Sequence, residues 1–110
     1  MLELFWIMEG EKFLVNVHES YRWVVAVCDE ELFGRKLSDG KMQLDLSGNF
    51  FKGESMGEAS MRDKILRCAR EDATFNIVGE RSVRIAKELG IICDEGILKI
   101  EDVPFALVLL

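Results

Sequence analysis

The sequence has little of several residue types, and each shortage excludes a class of protein. Its 110 residues include one proline, one histidine and three cysteines. A hydrophobic content of 49% with so little proline excludes disordered and fibrous chains. The cysteines are odd in number and far apart, which predicts neither a disulfide framework nor a zinc site. We therefore expect a reducing, cytoplasmic environment.

Long apolar runs and an excess of positive charge are also missing. No run reaches the ~20 apolar residues of a membrane helix, so no membrane association is expected. Residues 1–8 are apolar but lack a basic leader, which predicts either an extra strand or a non-native start. The 14 basic and 20 acidic residues give a net charge of −6, which argues against a strongly basic nucleic-acid binder. The length predicts a single domain over residues 1–110.

Branched, aromatic or alternating apolar residues predict strands before and after a helical region. The predicted strands cover residues 13–18, 23–28, 41–46, 50–51, 97–100 and 105–110. The first two are predicted to form a hairpin in which His18 lies opposite Trp23, and Cys28 opposite Phe13. The second strand is apolar on both faces and is therefore expected at the centre of the sheet.

Helical spacing of apolar residues follows Gly53. Residues 55–58 match a capping box that would start a first helix, and a second helical pattern ends at Leu89. Whether residues 72–76 separate the two helices stays open, although Gly79 places a junction near it. The order of elements predicts an α+β fold, with two helices packed on one face of a mostly antiparallel sheet.

Four segments carry a resemblance to a known family. They are residues 25–34 (VAVCDEELFG), 50–53 (FFKG), 73–83 (ATFNIVGERSV) and 103–106 (VPFA). From about residue 13 to its end, the chain resembles the archaeal domain-of-unknown-function 424 family. The resemblance implies a small cytoplasmic protein of about this length, and it implies no particular activity.

No residues have the spacing that a known chemistry needs. In the predicted hairpin, His18 and Cys28 are separated by five strand positions, or about 16 Å, which is too far for a thiol and its base. The adjacent carboxylates of residues 29–31 point in different directions, and no phosphate-binding loop occurs. We therefore predict no catalytic residues, no cofactor and no metal, and we favour a protein that is not an enzyme.

The best candidate for a binding site lies where the second helix is expected to begin. Residues 61–90 hold seven basic and five acidic side chains, a net +2, whereas the other eighty hold seven and fifteen, a net −8. Basic side chains on one face of a helix start favour an anion such as RNA phosphate. The predicted anion-binding or RNA-binding residues are Asn76, Gly79, Arg81, Arg84 and Lys87. A secondary candidate group is Cys28, Asp29, Lys52 and Gly53. The alternative is that the basic side chains form ion pairs on a solvated helix.

Three functions follow from these patterns. The first is a binding module for RNA or a ribosome-related protein, with stacking aromatics on the sheet face. The candidate aromatics are Tyr21, Trp23, Phe50 and Phe51. The second is a subunit or adaptor of a protein complex, including a homodimer, that pairs through the apolar ends at residues 1–8 and 105–110. The third is a small enzyme with a pocket formed by Cys28, Asp29, Asn76 and Arg81.

Overall fold

The computed structural model describes residues 11–108. Its strands and helices are, in chain order, β1 (Phe13–His18), β2 (Val24–Asp29), β3 (Lys36–Asp39), β4 (Met42–Asp45), β5 (Glu54–Met56), α1 (Glu58–Arg70), β6 (Thr74–Val78), α2 (Glu80–Glu88), β7 (Leu98–Ile100) and β8 (Val103–Val108). Single turns of 3-10 helix follow β2 at Glu30–Leu32 and precede β7 at Asp94–Gly96. The strand or non-native start expected at residues 1–8, and the last two residues of the final predicted strand, lie outside the described residues.

Six of the strands form one sheet in the order β5-β1-β2-β6-β8-β7. Only the pair β2 and β6 is parallel, and every other neighbouring pair is antiparallel. A parallel pair needs a long crossover between its strands, and the chain between β2 and β6 supplies it with the β3–β4 hairpin, β5 and α1. The α+β class and the mostly antiparallel sheet are confirmed.

The sheet is covered on both faces, and different elements cover each. On the first face, α1 and α2 pack their buried side chains against alternate residues of β1, β2 and β6. On the second face, the β3–β4 hairpin and residues 46–51 cover the other alternate residues. Strand β2 is buried on both faces, as its continuous apolar run predicted. No helix within residues 11–108 is long and apolar enough to cross a membrane.

The register of the first hairpin differs by one residue from the prediction. His18 lies opposite Val24, and Cys28 lies opposite Leu14, because the connection includes Trp23 and is one residue longer than expected. His18 and Cys28 are then separated by four strand positions, or about 13 Å. The imidazole is still out of reach of the thiol.

Two local predictions are wrong: residues 50–51 form a turn and not a strand, and residues 55–58 do not form a capping box. Ser55 does not cap α1, because it belongs to β5 and its Oγ donates a hydrogen bond to Glu30, while Gly57 precedes the helix. Residues 74–78 form strand β6, which separates α1 from α2 and settles the question that the sequence left open at residues 72–76. Their branched and aromatic side chains favour a strand, which pairs with β2 on one side and β8 on the other.

Candidate functional site

Helix α2 begins at a sharp turn between β6 and the helix. Gly79 forms this turn with φ of +114°, a conformation that a residue with a side chain rarely adopts. Because β2 and β6 are parallel neighbours, the end of β2 lies beside this turn, and Asp29 is the last residue of β2. The first turn of α2 therefore has a carboxylate next to it.

Asp29 is buried, with 3% of its surface exposed, and its carboxylate caps α2. The backbone N–H and the Oγ of Ser82 donate to Asp29 Oδ1 at 2.8 Å and 2.7 Å, and the N–H of Arg81 donates to Oδ2 at 3.2 Å. These are the N–H groups that an external anion at a helix start would use. The protein's own carboxylate occupies the position that the sequence suggested for a phosphate.

Asp29 also explains why residue 79 is a glycine. A Cβ added there would lie 2.5 Å from Asp29 Cγ and 2.7 Å from each carboxylate oxygen. The capping interaction thus depends on the missing side chain as well as on the backbone conformation.

The basic side chains of α2 have carboxylate partners within the molecule. Arg81 Nη2 lies 2.6 Å from one oxygen of Glu31 and 2.7 Å from the other, and its guanidinium carbon lies 5.7 Å from the centre of the Phe13 ring. This hydrogen bond lowers the pKa of Glu31 and raises that of Arg81. Arg81 Nε is buried and has no hydrogen-bond partner among residues 11–108. The guanidinium group of Arg81 is thus paired with a carboxylate of the same chain.

The other two cations of α2 are more exposed but also face carboxylates. Lys87 Nζ lies 2.7 Å from Asp94 Oδ1, and this hydrogen bond raises the pKa of Lys87. Arg84 Nε lies 3.9 Å from Glu88, whose other oxygen is 2.5 Å from Arg62. The alternative of ion pairs on a solvated helix therefore describes this face, and anion binding by Gly79, Arg81, Arg84 and Lys87 stays a prediction with little geometric support.

Asn76 does not share a surface with the other predicted anion-binding residues, because it faces the opposite side of the sheet. It lies in the middle of β6, between Ala26 of β2 and Leu107 of β8, on the second face of the sheet. The helix that it was expected to begin starts four residues later, on the opposite face. The sequence could not show this, because it depends on which face α2 covers.

The secondary candidate residues also separate. Cys28 is fully buried in the second-face core, and burial together with the neighbouring Asp29 raises the pKa of its thiol to about 12. Asp29 points to the first face and caps α2. Lys52 and Gly53 belong to a segment that crosses β1, where a Cβ on Gly53 would lie 2.3 Å from the Val15 carbonyl oxygen. These four residues do not line one common cavity in the described part of the chain.

An open cleft lies on the second face, around Asn76. It is largely apolar, has a volume of about 360 Å³, and lies between the hairpin side of this face and strands β6 and β8. Its lining residues are Leu44, Asp45, Phe50, Phe51, Asn76, Ile77, Val78, Phe105, Ala106 and Leu107. Phe50 and Leu107 are exposed, at 39% and 58%, although both are large and apolar. Only Phe50, Phe51 and Asn76 were candidates in the sequence.

The wall of the cleft that carries Phe50 is fixed to β1 by two polar side chains. Asn16 Nδ2 lies 3.0 Å, 3.2 Å and 3.2 Å from the carbonyl oxygens of Asn49, Phe50 and Lys52. His18 Nε2 donates to the Phe50 carbonyl at 3.0 Å, and the two rings stack with centroids 4.8 Å apart. This segment is therefore held in one position without regular secondary structure.

Asn76 itself has no partner in the cleft. Its side chain is half-buried, and no residue between 11 and 108 forms a hydrogen bond with its amide. Buried or half-buried amides are normally hydrogen-bonded, since leaving the group unpaired costs roughly 1–3 kcal/mol when water is excluded. Asn76 is therefore a polar group of the cleft lining that has no hydrogen-bond partner in the described part of the chain.

Metal chemistry has no evident site in the described part of the chain. Within residues 11–108, no group of three or more histidine, cysteine, aspartate or glutamate side chains is placed to hold a metal ion. The sole histidine of the sequence, His18, is engaged by Phe50.

The fold and these surfaces define a small α+β protein, with two helices on one face of its sheet and an open apolar cleft on the other. The chain matches the family described as protein of unknown function (DUF424) over residues 17–110, and it belongs to that family. The resemblance seen in the sequence is thereby confirmed. No curated protein matches the chain.

One solved structure similar to this chain is that of an uncharacterized conserved protein from Methanopyrus kandleri. The two are 26% identical, and the match covers 88% of this chain and 90% of the other, with a TM-score of 0.79. This similarity supports the fold and carries no statement of activity.

The Asp29 cap predicts an unequal response to two glycine substitutions. Gly79→Ala should lower the free energy of unfolding by about 2–5 kcal/mol, because it adds backbone strain and a clash with Asp29. Gly90→Ala is the matched control, since Gly90 also has positive φ but open space around its Cβ position, and it should lose only about 1–2 kcal/mol. Urea denaturation measures both, and equal losses would contradict the proposed clash.

Burial of the Cys28 thiol predicts that the folded chain protects it from alkylation. At pH 8, four units below a pKa of about 12, roughly one thiol in ten thousand is ionised. Iodoacetamide should therefore modify the exposed Cys93 in the native protein, and Cys28 and Cys68 only after unfolding. Mass spectrometry of peptides after timed labelling measures this, and rapid native labelling of Cys28 would instead support the enzyme hypothesis.

Proposed function

We propose that the chain is a non-enzymatic protein-binding module, a subunit or adaptor of a protein complex, and that the cleft on the second face is its binding site. The observation that carries this proposal is the half-buried Asn76 amide, which has no partner among residues 11–108 and lies between apolar walls. Strand β8, which lines this cleft, also contains part of the apolar segment 105–110 on which the adaptor hypothesis was based.

A polypeptide segment matches the chemistry of the cleft. The Asn76 amide offers two N–H donors and a carbonyl acceptor, and a peptide backbone offers one donor and one acceptor per residue. An apolar side chain from the same segment would contact Phe50 and Leu107, which are exposed in the free chain. Burying such a side chain contributes roughly 1.5–3 kcal/mol, so a single anchor residue supplies useful affinity.

Additional exposed apolar groups surround the cleft. Leu98 of β7 is 55% exposed, and its register partner Phe105 lines the cleft. Large apolar side chains that lie near one another on a surface mark interaction sites more often than scattered ones do. Leu98 thus extends the contact surface beyond the cleft along the outer edge of the sheet.

Charge supports a polypeptide partner over a nucleic acid. The chain carries a net −6, and the eighty residues outside 61–90, which supply most of the cleft lining, carry −8. A polyanion would be repelled from this region. The hypothesis of RNA binding through the basic face of α2 has less support, because Arg81 and Lys87 already contact carboxylates and Asp29 occupies the helix start.

The enzyme hypothesis also has less support than protein binding. Its pocket required Cys28, Asp29, Asn76 and Arg81 to face one space. Cys28 and Asn76 lie on the second face, whereas Asp29 and Arg81 meet at the start of α2 on the first.

Selection from a displayed library of random peptides tests the proposed function. The native chain should enrich peptides that share an apolar anchor, and Leu107→Lys should weaken their binding about 10- to 100-fold because it places a charge against that anchor. Leu66→Lys is the control, since Leu66 is 38% exposed on α1 and remote from the cleft. Isothermal titration calorimetry gives the affinities.

Two outcomes would overturn this function. The first is the enrichment of no peptide family by the native chain. The second is equal affinity of selected peptides for the native and Leu107→Lys chains. Titration with short single-stranded RNA at low and physiological salt, using the native chain and an Arg81→Ala/Arg84→Ala variant, supplies the competing measurement. Salt-sensitive RNA binding that the double variant loses, without any peptide enrichment, would favour the RNA hypothesis.

A further inference from the structure

We propose that the cleft selects a partner segment that carries an arginine, and that Asp45 and Phe50 together recognise its guanidinium group. This inference rests on the protein-binding function proposed above and specifies the chemistry of the partner.

Asp45 presents a fixed carboxylate at the rim of the cleft. It is the last residue of β4, and its Oδ1 accepts hydrogen bonds from the backbone N–H of Ser47 at 2.8 Å and from the Ser47 Oγ. Both donors use the same oxygen, so Oδ2 has no hydrogen-bond partner in the described chain. The side chain is therefore oriented by Ser47 and still has one oxygen available for a ligand.

The charge of this carboxylate persists at neutral pH. Hydrogen bonds from Ser47 lower the pKa of Asp45, and the positive charge of Lys36 lowers it further. Lys36 lies opposite Asp45 in the β3–β4 register, yet the two form no ion pair in the part of the chain that the structure describes. Asp45 is thus an ionised acceptor that has no ion-pair partner in the described chain.

Phe50 provides a flat apolar surface in the same cleft. Its ring stacks on His18 and meets Phe51 edge to face, and these contacts fix its orientation while 39% of the residue stays exposed. A guanidinium group can lie against an aromatic ring and still direct its in-plane N–H groups to a carboxylate. A lysine ammonium lacks this planar geometry, which is why we infer arginine.

The remaining parts of the cleft accommodate the rest of the segment. The Asn76 amide is available to the backbone, and the wall formed by Phe105 and Leu107 is available to a neighbouring apolar side chain. The net −6 of the chain attracts a basic segment over a longer range. The Asp45 carboxylate at short range and the net negative charge at long range therefore favour the same partner.

Two blocked tripeptides test the arginine: leucyl-arginyl-leucine, and leucyl-citrullyl-leucine, which has nearly the same shape without the charge. Each is titrated into the full ¹⁵N-labelled chain, and amide chemical shifts are followed by NMR. The arginine peptide should shift the signals of Asp45, Phe50, Asn76 and Leu107. It should bind roughly 3- to 10-fold more tightly than the citrulline peptide.

A variant of the carboxylate separates recognition from general charge. Asp45→Asn keeps an oxygen that can accept from Ser47 but loses the charge, so it should remove the preference for arginine over citrulline. Asp39→Asn is the matched control, because Asp39 is also exposed and lies on the same hairpin, and it should leave the preference unchanged. The dispersion of the NMR signals verifies that both variants are folded.

Specific results would overturn the arginine proposal. They are equal affinity of the native chain for the two tripeptides, shifts confined to surfaces away from the cleft, no binding of either tripeptide, or a preference that survives Asp45→Asn. None of these depends on the library selection, so a peptide family that requires Leu107 but lacks arginine would retain the protein-binding function while refuting its arginine specificity.

Discussion

The buried carboxylate of Asp29 connects the parts of this fold that are distant in sequence. It joins the end of β2 to the first turn of α2 through hydrogen bonds from Ser82, which lies fifty-three residues later in the chain. Hydrogen bonds to a charged group contribute about 1.5–3 kcal/mol each, and the helix dipole adds to their effect. Because Gly79 must lack a side chain to admit this carboxylate, the turn, the cap and the parallel pairing of β2 with β6 depend on one another.

This internal cap changes where a ligand can bind. A helix start with a glycine and nearby arginines is a common place for an anion, and the sequence pattern at residues 76–84 resembles such a place. Here the negative charge comes from the protein, and Glu31 adds a second carboxylate beside Arg81. The basic residues of α2 thus face carboxylates of the same chain. On the second face, the Asn76 amide has no hydrogen-bond partner among residues 11–108.

The sequence was informative wherever one residue pattern determines one local structure. The apolar run at β2 predicted a central, doubly covered strand, and the polar residues after His18 predicted a hairpin. It was misleading at Ser55 and at residues 74–78, where short motifs match helix signals but long-range pairing determines the structure. Asn76 was predicted as a binding residue, but at a helix start and not in the cleft where it lies. Asp45, Phe105 and Leu107 were missed because only the folded sheet brings them to one cleft.

One wall of the cleft is held in place by polar side chains of β1. Asn16 uses its side-chain amide to hold three carbonyl groups of residues 49–52, and His18 holds Phe50 through both its ring and its Nε2. These contacts keep the segment above β1, so Asn76 on β6 is left uncovered. Closure of the cleft over Asn76 would bury its amide without a partner, at a cost of roughly 1–3 kcal/mol. The polar side chains of Asn16 and His18 therefore hold the cleft wall in place. Apolar residues at these two positions would not hold it, and the cleft could then close.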